Sequence, residues 1–65
     1  MNVSLNQAIV MHAKALKHRA GGAAPQIARE RAERCAHSGD ADGRAVWLRV
    51  AASAEALLRF EAERR

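Results

Sequence analysis

The apolar and polar positions divide the chain at two glycine-bearing breaks, Gly21-Gly22 and Ser38-Gly39-Asp40, into three segments of helical periodicity. In the first, Leu5, Ala8, Ile9, His12, Ala13, Leu16 and Ala20 recur at i, i+3, i+4, i+7 spacing, the stripe of a helix with one buried face. The segment opens on Ser4-Leu5-Asn6-Gln7, a capping box in which the Ser hydroxyl accepts from the Gln7 amide and the Gln7 side chain reaches back to the cap amide. These signals predict a helix over residues 5–20, stopped by a left-handed Gly21. Pro25 suits the first position of a second helix, where its missing amide hydrogen costs nothing and its fixed φ is already helical. That helix is predicted over residues 25–37, with a slim face of Ile27, Ala28, the Arg31 stem, Ala32 and Cys35, an i, i+4 pair of Glu30 with Arg34, and Gly39 as its stop. Asp40 or Asp42 then caps a third helix over residues 41–63, roughly 33 Å long at 1.5 Å per residue. Its stripe is Val46, Val50, Ser53, Ala54, Leu57 and Phe60, flanked by Trp47, Ala51 and Leu58. Strand signals are absent from the sequence.

The expected fold is therefore all-α, a single small domain over residues 1–65 built as a three-helix hairpin or bundle whose longest helix comes last. A chain this short buries only about 60% of the surface it exposes when unfolded. Much of its apolar content is alanine, which contributes little burial, so the core is thin. Small folds with neither disulfide nor metal commonly make up that deficit by oligomerising, and a homodimer or a protein partner is expected. The end of the third helix, at Leu57, Leu58 and Phe60, either pairs with another chain or folds back onto Leu5 and Ile9.

Charge changes the picture only in part. The formal net charge is +4 and the pI near 10.7, and the excess of bases lies before Cys35, where Lys14, Lys17, Arg19, Arg29, Arg31 and Arg34 face only Glu30 and Glu33. Lys14, Lys17, Arg19 and Arg29 are the candidate contacts to an anion or nucleic acid. Cations are also favoured near a helix C-terminus by its dipole, which accounts for a solvated basic cluster at the end of the first helix. A helix-turn-helix reading meets Asp40 and Asp42 in the first turn of the would-be recognition helix, where they repel phosphate, and finds no Asn or Gln there to read adenine. No aromatic platform accompanies the bases.

The lone Cys35 forms no internal disulfide and the N-terminal residues lack a secretory pattern, so the expected compartment is the cytoplasm. The absence of acids before Glu30 loosely matches an organellar transit peptide, without the Arg and Ser enrichment of one. No segment reaches the roughly 20 apolar residues of a membrane span, and no membrane association is expected.

Candidate chemistry fares poorly. Ser38-x-Asp40-x-Asp42-Gly43 imitates half of an EF-hand loop, but the twelfth position would be Arg49 where a bidentate Glu is required; a glycine stop followed by an aspartate cap accounts for the same residues. Cys35 and His37, two residues apart on a helix, point in different directions and have no third group to orient them. His12 and His18 complete no metal set with them. No catalytic residue, metal or cofactor is expected, and the chain is not read as an enzyme.

From Ile27 the chain reads Ile27-Ala28-Arg29-Glu30-Arg31, then Gly39-Asp40-x-x-Gly43-x-x-x-Trp47-x-x-Val50-Ala51. This pattern, spanning about Ala8 to Leu58, resembles a family of short uncharacterised helical proteins of alphaproteobacteria that repeat an Ile-Ala-Glu-Arg helix, a Gly-Asp-x-x-Gly turn and a following Trp. The chain departs from it before the second helix, where that family tends to His-Gly and this sequence has His18-Arg19-Ala20-Gly21-Gly22. The resemblance implies a bacterial helical protein and lends no functional residues. The function expected from the residues is a helical protein-interaction module, self-associating or docking on a larger protein through Trp47, Val50, Ala54, Leu57, Leu58 and Phe60 together with the small-residue face of the second helix. The alternative is a small basic nucleic-acid-binding regulator.

Overall fold

The computed structural model describes residues 4–64 and contains no strand among them. Helix α1 spans Leu5–Ala20, a single 3-10 turn spans Gly21–Ala23, α2 spans Ala24–His37 and α3 spans Ala41–Glu63. Met1–Val3 and Arg65, the ends of the expected domain, lie outside the described residues.

Local chemistry sets these boundaries. Ser4 and Gln7 exchange both bonds of the capping box, each at 3.1 Å. Pro25 lies in the first turn of α2, where no amide hydrogen is required. At the far end of α2, Gly39 takes φ 77°; its amide donates to the Ala36 carbonyl at 3.1 Å and the Asp40 amide to the Cys35 carbonyl at 2.8 Å. That pair of bonds is a Schellman motif, which satisfies carbonyls the helix leaves free. Asp40 is the cap of α3, its carboxylate accepting from the Gly43 amide at 2.8 Å. Of the two caps weighed from the sequence, Asp40 takes the role, and Asp42 lies in the first turn where the dipole favours an acid.

The all-α class holds, but the three-helix bundle does not. Gly21 has positive φ, 58°, as expected of a stop; its ψ of −132° is not that of a left-handed cap, and the chain enters the 3-10 turn and α2 with no intervening loop. Residues 5–37 therefore form one long bent helical segment, with α3 as the second body. The two limbs of the bent segment each pack on α3 and touch one another much less. Limb α1 meets α3 at Asn6–Arg49 near its start and Lys17–Glu61 near its end; α2 meets it at Arg29–Glu55 and then at Cys35–Gly43, in the opposite order.

The core lies along the inner face of α3. Ile9, Ala13 and Leu16 come from α1, Ala24 and Ala28 from α2, and Val50, Ala51 and Ala54 from α3, with Ile27, Val46, Trp47 and Leu57 packed around them. Ala32 is buried as well. Among the described residues no wholly buried side chain is larger than Val50, so close approach of small residues replaces the burial of large ones. The molecule is flat, about 41 × 31 × 16 Å, with a radius of gyration of 12.2 Å. A compact domain of this length has a radius of gyration of about 10.7 Å.

Candidate functional site

Two bodies of helix cannot enclose one another, and of the large apolar side chains left exposed, Val10, Met11 and Phe60 line grooves while Leu5 and Leu48 stand apart from them. Val10 and Met11 follow Ile9 directly; since successive helical residues point about 100° apart, a core-facing Ile9 forces its neighbours off the buried stripe. Met11 is 62% exposed and Val10 38%. Across the seam on α3, Phe60 is 57% exposed, and the Arg64 guanidinium lies 5.4 Å from its ring centroid.

These side chains line shallow grooves that run into one another. Val10, Ser53, Ala56, Leu57 and Phe60 form a groove between α1 and α3 with almost no polar lining. Val10 is also part of a second groove on α1, with Asn6, Gln7, Met11 and Lys14. Met11 in turn borders a third, with Ala8, His12 and Ala15. The surface is continuous through Val10 and Met11, and Lys14 is its one charged lining residue.

The residues expected to form an interface are divided by the structure. Val50 and Ala54 are 2% and 0% exposed, spent on the chain's own core. Leu57 and Leu58 are half-buried, Leu57 packing on the core, and Phe60 stays outside. The end of α3 thus folds back in part: Leu57 reaches the cluster around Ile9, while Leu5 remains exposed. Trp47 lies at the edge of the core, half-buried, with the Arg31 guanidinium 4.9 Å from its ring centroid and the His12 ring edge-on at 6.1 Å. The small-residue face of α2, Ala24, Ala28 and Ala32, is buried within the molecule.

Of the four candidate anion contacts, two are engaged in ion pairs, Lys17 with Glu61 and Arg29 with Glu55. Lys14 borders the α1 groove, and Arg19 is exposed. Cys35 lies half-buried against Gly43, while His37 is exposed. No group of three His, Cys, Asp or Glu that could hold a metal occurs among the described residues, and no buried side-chain nitrogen or oxygen there lacks a partner. Asp40, the central residue of the EF-hand-like string, is committed to its cap.

Sequence reasoning missed Val10 and Met11. Their signal was present as two large apolar residues lying off the α1 stripe, where a solvated helix face carries polar ones. Among the described residues no helix is long and apolar enough to cross a membrane. Compared with known protein families, curated proteins and solved structures, the chain has no significant match.

Proposed function

We propose that this chain is a small helical protein-interaction module without catalytic activity, and that its binding face is the surface running from Phe60 and Leu57 across Val10 to Met11. The observation that carries the reading is the continuity of that surface: large apolar side chains from α1 and α3 stand exposed around grooves joined by shared residues. Scattered exposed apolar residues are ordinary, whereas a contiguous apolar surface marks an interaction site. The lining is nearly all apolar, which suits an apolar protein surface rather than a phosphate backbone.

The reading separates binding from folding. Phe60→Ser and Met11→Ser remove apolar groups that the core does not use, so in dilute solution each is expected to change the unfolding free energy by less than about 0.5 kcal/mol. Both are expected to weaken association measured by light scattering. A loss above about 2 kcal/mol in dilute urea denaturation would make these side chains structural and overturn the proposal.

A further inference from the structure

We propose that Trp47 and the two side chains against its ring, Arg31 of α2 and His12 of α1, form a binding site for a terminal phosphate group. Three charged side chains are half-buried among the described residues: Lys17, Arg31 and Glu55. Lys17 and Glu55 each face an opposite charge, in the pairs with Glu61 and Arg29. Arg31 has neither an ion pair nor a side-chain hydrogen bond among the described residues. It lies instead over the Trp47 ring, its Cζ 4.9 Å from the centroid. That contact is made to the π face and consumes none of the five N–H donors of the guanidinium.

The surroundings are cationic. One helical turn to either side of Arg31, His12 and Trp47, at the positions that share their faces, there is no acid, and two positions carry further bases, Arg34 and Arg44. Glu30 and Glu33, one and two residues from Arg31, do not face it. The donors also come from two sides. Arg31 belongs to one limb of the bent segment and His12 to the other, the imidazole standing edge-on to the same indole at 6.1 Å. A guanidinium fork takes two oxygens of an oxyanion. A carboxylate is used up by that fork, whereas a terminal phosphate keeps a third oxygen for an imidazole N–H across the ring. The site does not rest on the apolar face, since neither Arg31 nor Trp47 lines its grooves.

Trp47 is the chain's single tryptophan, so its fluorescence reports on this site. Titrating the full chain with inorganic phosphate, with ionic strength held constant by sodium chloride, is expected to give a saturable change. Saturation by methyl phosphate as well assigns the site to an esterified phosphate, and by inorganic phosphate alone to the free ion. Acetate and dimethyl phosphate, each with two free oxygens, are expected to bind at least about tenfold more weakly. Arg31→Lys keeps the charge but loses the fork, and is expected to weaken phosphate binding about tenfold with native helix content by circular dichroism. Arg59→Gln, at an exposed position on α3, is expected to leave the titration unchanged. If Arg31→Lys loses helix content, the Nε–H resonance of Arg31 in the native chain is followed instead, and is expected to move to saturation with phosphate. A response that is not saturable overturns the site; so does acetate binding as tightly as phosphate, a natively folded Arg31→Lys that binds undiminished, or an Arg31 resonance that stays still.

Discussion

Gly43 shows how much of this fold rests on single positions. A Cβ added there would lie 2.3 Å from the Asp40 Oδ2, 2.8 Å from its Cγ and 3.0 Å from the Cys35 Sγ. The carboxylate cannot withdraw freely, because the same side chain caps α3 through the Gly43 amide. Gly39-Asp40-x-x-Gly43 is thus one device: a positive-φ stop, a cap, and a residue small enough to lie beneath the cap. Alanine normally gains about 1 kcal/mol over glycine inside a helix. Gly43→Ala is nevertheless expected to destabilise the protein by about 1–3 kcal/mol, since crowding outweighs propensity. Urea denaturation checks the sign, and a stabilised variant would show that Asp40 is free to move.

The bend between α1 and α2 invites the same comparison across a whole element. Gly21 and Gly22 adjoin in sequence, yet only Gly21 has positive φ, and a Cβ at either would meet nothing within 4 Å. Backbone conformation alone therefore separates them. Gly21→Ala is expected to cost about 1–3 kcal/mol through strain. Gly22→Ala is expected to be neutral or to stabilise by up to about 1 kcal/mol, through lost entropy of the unfolded chain. Thermal melts followed by circular dichroism give the two signs, and equal effects would mean that the turn re-forms around alanine. The bend matters because it lets both limbs reach α3 within a three-residue connection.

At the scale of the molecule, the limbs are held by a small-residue core and a few exposed polar ties. The Lys17–Glu61 and Arg29–Glu55 pairs are partly solvated, and exposed pairs contribute about 0–1 kcal/mol each, screened by salt. Stability is therefore expected to fall by less than about 2 kcal/mol between low and molar salt, as read by denaturant titration. A larger loss would place the hold on α3 in its ion pairs rather than in Ala28, Val50 and Ala54.

The sequence by itself determined what depends on neighbours four residues apart. The Ser4 and Asp40 caps, the Gly39 stop, the place of Pro25 in the first turn of α2 and the extent of each helical stretch are short-range events, written in adjacent letters. It also located the middle of the α1 stripe, where Ile9, Ala13 and Leu16 are buried while Leu5 and His12 stand exposed, and the thinness of the core, because alanine at core positions is visible as such. Only the tertiary structure decided that Gly21 bends a continuous helical path instead of ending it, that Val50 and Ala54 are consumed internally, and that Lys17 and Arg29 are opposed by carboxylates 44 and 26 positions away. It alone left Val10, Met11 and Phe60 outside. Which face of a helix is covered depends on how distant elements pack, and two helical bodies on so small a core have too little surface to cover every apolar side chain they carry.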